Sequence, residues 1–358
     1  MHAETGDKSM TYKISELADL GWTAFYSSQL DTTDLETHFP VKVAEVHRNN
    51  LRVVGTSLDC LVPPFYDPDG DDEAQATVGD WLLLDRETLQ PQRLLDRKSL
   101  FKRFAPGTGR KIQLIAANID TLFIVSSCNQ DFNIARLERY LALALDADIL
   151  AVIVLTKADL TDVPEDYERD AAKLIQNLSV VVLDARNSDD VKRLLPWCGK
   201  GQTVAFVGSS GVGKSTIINT LTGMEQIATQ DVREDDAKGR HTTTSRELHL
   251  LHTGGWLLDT PGIRELQLTD VQAGLGEVFA DITKLAQSCR FRDCAHETEP
   301  ECAIRAAVEA GELDENRLQR WKKLVAEDAY NTESLIERRA KDKTFGKMIK
   351  RVKQDTRK

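Results

Sequence analysis

The chain has 358 residues, a length that suggests two or three domains and allows at least one large apolar core. A formal net charge of −11 excludes a protein that coats nucleic acid by bulk charge alone, while leaving room for a local basic patch. The polar N-terminus (Glu4, Asp7, Lys8) lacks a signal-peptide core, and runs such as Ile149–Leu155 fall short of the roughly 20 residues that span a bilayer, so a soluble, cytoplasmic protein without a membrane partner is expected.

Residues 1–35 are weakly patterned and read as an N-terminal extension. Over residues 36–105, β-rich stretches alternate with turn signals. Val41–His47, Leu51–Leu61 and Trp81–Leu84 are the candidate strands, and the run Asp67 to Asp72 is a loop. A small all-β barrel fits, and an OB-fold fits best. The stretch from Arg97 to Lys111 holds Lys98, Lys102, Arg103 and Arg110 but no acid, and Gly107-Thr108-Gly109 suggests a flexible linker within it.

Over residues 112–280 the pattern changes to alternating strand and helix. Strands are expected at Thr121–Ser126, Ile149–Leu155, Val180–Leu183, Val204–Val207, Leu248–Leu251 and Trp256–Leu258. Helices are expected at Ile134–Leu145, Tyr167–Leu178, Asp190–Leu195 and Lys214–Leu221. Near-continuous apolar strands between helices predict an α/β fold with a parallel sheet covered on both faces. Residues 281–358 hold a Cys/His cluster, then helices at Ile304–Ala310 and Asn316–Ala340, then a basic tail.

Gly208-Ser209-Ser210-Gly211-Val212-Gly213-Lys214-Ser215, with Thr216 next, matches the Walker A pattern between a strand and a helix. Such a loop wraps phosphates with backbone N–H groups, and the helix N-terminus adds positive potential. Lys214 is expected on the β- and γ-phosphates and Ser215 on Mg²⁺. Thr156-Lys157-Ala158-Asp159 ends a strand, where ligands bind in open α/β sheets. A carboxylate there accepts from both guanine N1–H and N2–H₂, which adenine cannot match, so the bound nucleotide is read as GTP or GDP. Asp259-Thr260-Pro261-Gly262 follows another strand. Asp259 is expected to hold Mg²⁺ through water, and the Gly262 N–H to sense the γ-phosphate.

Between these motifs, Gly239-Arg240-His241-Thr242-Thr243-Thr244 is polar and reads as a mobile loop. Thr243, with Thr242 as its rival, is the candidate to complete the Mg²⁺ shell. Ile263 stands where many GTPases carry a water-orienting Gln. It neither donates nor accepts, so intrinsic hydrolysis should be slow, and His241 is the nearest replacement; a solvent-facing loop histidine is the competing reading. The guanine motif precedes the Walker A motif, the reverse of the ordinary order, which makes this a circularly permuted P-loop GTPase core.

Cys289, Cys294, His296 and Cys302 supply three thiols and one imidazole, a closed set for one structural Zn²⁺. The tail carries eight basic residues between Lys341 and Lys358, opposed by Asp342 and Asp355. Phosphate-backbone binding and a solvated helical end both fit it, and the Arg97–Lys111 stretch with an OB-fold tilts the reading towards RNA.

These residues resemble the RsgA family of ribosome small-subunit biogenesis GTPases. The permuted motif order, Gly239-Arg240-His241-Thr242-Thr243, the run Cys289-Arg290-Phe291-Arg292-Asp293-Cys294-Ala295-His296 and Phe345-Gly346-Lys347-Met348 carry the likeness, from about Phe39 onward. It implies an N-terminal OB-fold, a central permuted GTPase and a C-terminal α-helical zinc domain. It also implies GTP hydrolysis stimulated by the small ribosomal subunit and its rRNA late in maturation, with His241 in a catalytic role. A monomer is expected. The family's Ser-Ala base contact falls at Leu183-Asp184-Ala185-Arg186, with Asp in place of Ser. A GTP-dependent switch acting on a protein effector is the alternative; a metal-dependent nucleic-acid enzyme fits less well, because the zinc set leaves no open coordination position.

Overall fold

The computed structural model describes residues 16–67, 73–104, 112–223, 246–259 and 268–332. The chain divides into two compact units: the described parts of Met1–Thr121, Ala185–Phe206 and Lys214–Ile263 form the first, and those of Leu122–Asp184, Val207–Gly213 and Arg264–Lys358 the second.

The first unit begins with five antiparallel strands, β1 (His38–Val46), β2 (Leu51–Gly55), β3 (Leu58–Val62), β4 (Trp81–Asp85) and β5 (Pro91–Leu94). They pair in the order β3-β2-β1-β4-β5. Alternating side chains from these strands enclose a core of Val41, Val43, Leu51, Val53, Val62, Leu82 and Leu84, all 2 % exposed or less. Each such burial contributes about 1.5–3 kcal/mol, which drives the strands together.

Two expectations are corrected here. The single strand read over Leu51–Leu61 is a hairpin, turned at Thr56-Ser57, where Ser57 adopts φ 61°. The basic stretch, for which no strand is expected, begins as one. Leu100–Phe104 forms β6, paired with β7 (Ile112–Ala117), and Arg97 is drawn inward by the fully buried Asp80 in a two-pronged contact of 2.7 and 2.8 Å. Gly107-Thr108-Gly109 and Arg110 lie outside the described residues.

Residues 16–35, read as part of an extension, pack into the same unit. Leu20 and Tyr26 are buried, the Trp256 indole N–H donates to the Asp19 carbonyl at 2.9 Å, and the buried Lys42 Nζ donates to the Leu20 carbonyl and the Thr203 hydroxyl, each at 2.9 Å.

In the second unit, β8 (Thr121–Ser127) neighbours β9 (Leu150–Thr156), and β9 runs parallel to β10 (Ser179–Val182). All seven residues of β8 are buried, as expected for a strand covered on both faces. The helix Ile134–Asp146 opens on Asn133, whose side chain accepts from the Arg136 N–H at 3.0 Å. The expected helix Tyr167–Leu178 runs instead over Pro164–Ala172; it starts earlier because Pro164 suits the first turn, where its missing N–H costs nothing.

Back in the first unit, β11 (Thr203–Gly208) runs parallel to β13 (Trp256–Asp259), while β12 (Arg246–Leu250) is antiparallel to β13 and to β1. The expected all-parallel sheet is therefore mixed. The helix Lys214–Thr222 follows β11 in the chain, past the intervening loop. In the second unit, Ala303–Glu309 is helical, close to the expected range, and residues 315–332 are helical where Asn316–Ala340 is expected, the last eight residues of which lie outside the described residues.

Candidate nucleotide and metal sites

The second unit brings the guanine motif and the glycine-rich loop together. Thr156 ends β9, is fully buried, and directs its hydroxyl at the Val212 carbonyl, 2.6 Å away, with the Ser126 carbonyl at 3.1 Å. One hydroxyl proton serves one acceptor at a time, and the shorter distance favours Val212. Thr156 thus ties the start of the Thr156–Asp159 motif to the loop Gly208–Gly213. Lys157 follows in the left-handed region at φ 58°, and Ala158 and Asp159 begin a short 3₁₀ turn. This bend turns the chain sharply at the strand's C-terminal end.

Gly208 shows why the loop needs glycine at its first position. Its φ is 143°, and a Cβ there would stand 2.2 Å from the Val125 carbonyl oxygen. Gly211, at φ 74°, faces open space, so its requirement is conformational rather than steric. Ser209 is partly exposed and Ser210 exposed. Ser209 also receives a hydrogen bond from the Arg136 guanidinium, a neighbour that sequence reasoning missed.

In the first unit, Lys214 opens the helix Lys214–Thr222 and is 7 % exposed, with Ser215 and Thr216 following it. Asp259 ends β13 with its side chain exposed. His241, Thr242, Thr243, Gly262, Ile263 and the basic tail fall outside the described residues. A cleft of about 570 Å³ in the second unit is lined by Asp170, Lys173, Glu277, Asp281, Arg317 and Arg320 among others and includes none of the nucleotide-motif residues.

The four expected metal ligands converge. The donor atoms of Cys289, Cys294, His296 and Cys302 all lie within 4.8 Å of one another. Cys289 Sγ is 3.9 Å from Cys302 Sγ, and His296 Nδ1 is 3.6 and 3.5 Å from those two sulfurs. Zinc–sulfur bonds of about 2.3 Å in a tetrahedron put ligands about 3.8 Å apart, so the set fits zinc. Burial, then the Lys322 charge, lowers the His296 pKa, which favours the neutral imidazole that binds metal. Burial raises Cys289, but N–H groups of Ala303 and Ile304 and the adjacent thiols outweigh it and hold the thiol below its ordinary value. Cys294 is pushed up to about 11, by burial first and then by its thiol neighbours.

The surroundings brace this set. Lys322 Nζ donates to the His296 carbonyl at 3.0 Å, and the Trp321 ring lies 5.7 Å from the imidazole. Glu299 accepts from the backbone N–H groups of Ala295, Glu297 and Thr298, closing the loop between ligands.

Known proteins resemble this chain over most of its length. A model of the RsgA GTPase family matches residues 94–269. A Small ribosomal subunit biogenesis GTPase RsgA of Mesorhizobium japonicum is 50 % identical over 91 % of this chain and 93 % of its own. A Small ribosomal subunit biogenesis GTPase RsgA 2 of Vibrio parahaemolyticus is 46 % identical over 96 % and 94 %. Among solved structures, YjeQ from Thermotoga maritima superposes with a TM-score of 0.57 at 25 % identity, over 80 % of this chain and 97 % of that one. YloQ, described as a circularly permuted GTPase, gives 0.56 at 24 %, over 81 % and 94 %, and supports the fold alone.

Proposed function

The chain belongs to the RsgA GTPase family, and from that premise we propose that it binds the small ribosomal subunit and hydrolyses GTP to assist a late step of its assembly. The observation that supports this reading is the Thr156 hydroxyl tie to the Val212 carbonyl, which joins the turn Thr156–Asp159 to the glycine-rich loop Gly208–Gly213. Asp159 reads the guanine edge. Thr156, Lys157 and Ala158 shape the turn that presents it. Gly208 to Gly213 cradle the phosphates, with Lys214 neutralising them and Thr216 continuing the helix.

Ser215, Asp259 and Thr243 are the proposed holders of Mg²⁺, which supplies charge neutralisation on the phosphates when bound. The Gly262 N–H reports the γ-phosphate, and His241 orients the attacking water in place of the missing Gln. Cys289, Cys294, His296 and Cys302 hold a structural zinc that fixes the loop between them. We assign residues 36–105 to an OB-type barrel, 112–280 to the permuted GTPase and 281–358 to the zinc domain with its tail. The strand order β3-β2-β1-β4-β5 supports the barrel assignment. The barrel and the basic tail are the proposed rRNA contacts, in a protein acting as a monomer in the cytoplasm. No helix among the described residues is long and apolar enough to cross a membrane.

The test is GTP hydrolysis with and without purified small subunits at moderate salt. Strong stimulation that fades with salt supports the proposal, since phosphate contacts weaken steeply with salt. Hydrolysis indifferent to the subunit leaves a GTPase and sinks the ribosomal role, in favour of a protein effector.

A further inference from the structure

Arg136 sits in the first turn of the helix Ile134–Asp146, and its guanidinium donates to the hydroxyl of Ser209, the second residue of the phosphate loop. The two lie 73 residues apart in the chain. The adjacent charged residues of the helix are matched: Arg139 pairs with Glu327, and Glu138 with Arg317 and Arg320. Arg136 is exposed and has no ion pair among the described residues. A cation beside a loop whose own N–H groups attract anions is unfavourable until an anion arrives.

Its base is rigid. Leu137, Glu138 and Leu141 on the same helix are 2 %, 0 % and 0 % exposed, and the ion pairs fix the helix further along. The long side chain therefore extends from a buried, ion-paired stretch of helix. Its planar fork matches the oxygens of a phosphate better than a single serine hydroxyl.

We propose that Arg136 is a phosphate-contacting residue of the hydrolysis reaction, leaving Ser209 for the terminal phosphates when GTP is bound. In that reaction water adds to the γ-phosphorus and the bond to the β,γ-bridging oxygen breaks. The electron pair stays on GDP, and the proton of the water leaves with inorganic phosphate. Charge grows on the transferred group and on the leaving oxygen, and a guanidinium supplied from the same chain compensates it. Ile263 offers no such compensation. This inference rests on the GTPase reading and adds a residue to it.

The experiment compares wild type, Arg136→Ala and Arg136→Lys as full chains. It follows single-turnover GTP hydrolysis with and without small subunits, affinity for a fluorescent GDP, and trapping of that GDP by aluminium fluoride. Wild-type turnover checks the GTPase reading separately. The expected result is a loss of about 100-fold in the hydrolysis rate for Arg136→Ala, with GDP affinity near wild type and aluminium fluoride trapping lost. Arg136→Lys should recover part of the rate. An unchanged rate with intact trapping overturns the proposal. So does a parallel fall in GDP affinity and melting temperature, which marks Arg136 as a structural support of the loop.

Discussion

Replacing Glu138 with alanine is expected to destabilise the protein by about 3 kcal/mol. The Glu138 carboxylate is fully buried and accepts from Arg320 Nε at 2.7 Å, Arg320 Nη2 at 3.2 Å and Arg317 Nη1 at 3.2 Å. Removing one partner of a buried pair costs about 3–5 kcal/mol, mostly from the charge left behind. Two features place this case at the lower end. Arg317 keeps Asp281, at 2.8 and 3.0 Å, and the Val278 carbonyl at 2.8 Å. The side chains of Arg317 and Arg320 are 16 % and 25 % exposed, so water reaches them. Burial also raises the Glu138 pKa against the pull of the arginines, and alanine removes that cost. Urea unfolding of Glu138→Ala, Arg320→Ala and the double variant measures the coupling directly, with about 1–2 kcal/mol expected between them. A loss below about 1 kcal/mol in Glu138→Ala, or no coupling, would refute the view that this buried carboxylate clamps the helix Ile134–Asp146 to residues 315–332.

Lys42 gives a pH signature. Burial, against the pull of Asp120 and with the push of Lys98, lowers its pKa from 10.5 to about 8. Below pH 8 the folded protein buries a charge; between pH 8 and 10.5 the folded amine is neutral while the unfolded chain still binds the proton, so stability rises with pH there, by about 3 kcal/mol at most. Lys42→Met should lose that rise relative to wild type in urea midpoints taken at steps across the window, and a wild-type-like slope would count against it. For the metal set, elemental analysis of purified protein should find one zinc per chain. Cys302→Ser should lower that content and the melting temperature together, because binding energy of the ion is folding energy. Full stability in zinc-free protein would argue against a structural ion.

Much of the candidate site was legible because its motifs are local. The loop Gly208–Ser215, the turn Thr156–Asp159 and the ligands Cys289, Cys294, His296 and Cys302 need fixed residue types at fixed spacing, and short spacing survives in sequence. The strands β8, β9 and β11 were legible for a similar reason, since burial on both faces demands an unbroken apolar run. The hairpin at Ser57 was not, because a serine at φ 61° leaves no Gly or Asn mark in the chain.

What only the tertiary structure decided are pairings between distant residues. Arg97 looked like part of a basic patch until Asp80, itself fully buried, claimed it. Residues 16–35 looked idle until Trp256 and Lys42 met the carbonyls of Asp19 and Leu20. Thr156 reached Val212 across 56 residues, and Arg136 reached Ser209 across 73. Local sequence determines backbone preference and the chemistry of a short motif. It does not determine which distant group lies within 3 Å, because that follows from how the strands and helices pack, which is settled by burial summed over the whole chain.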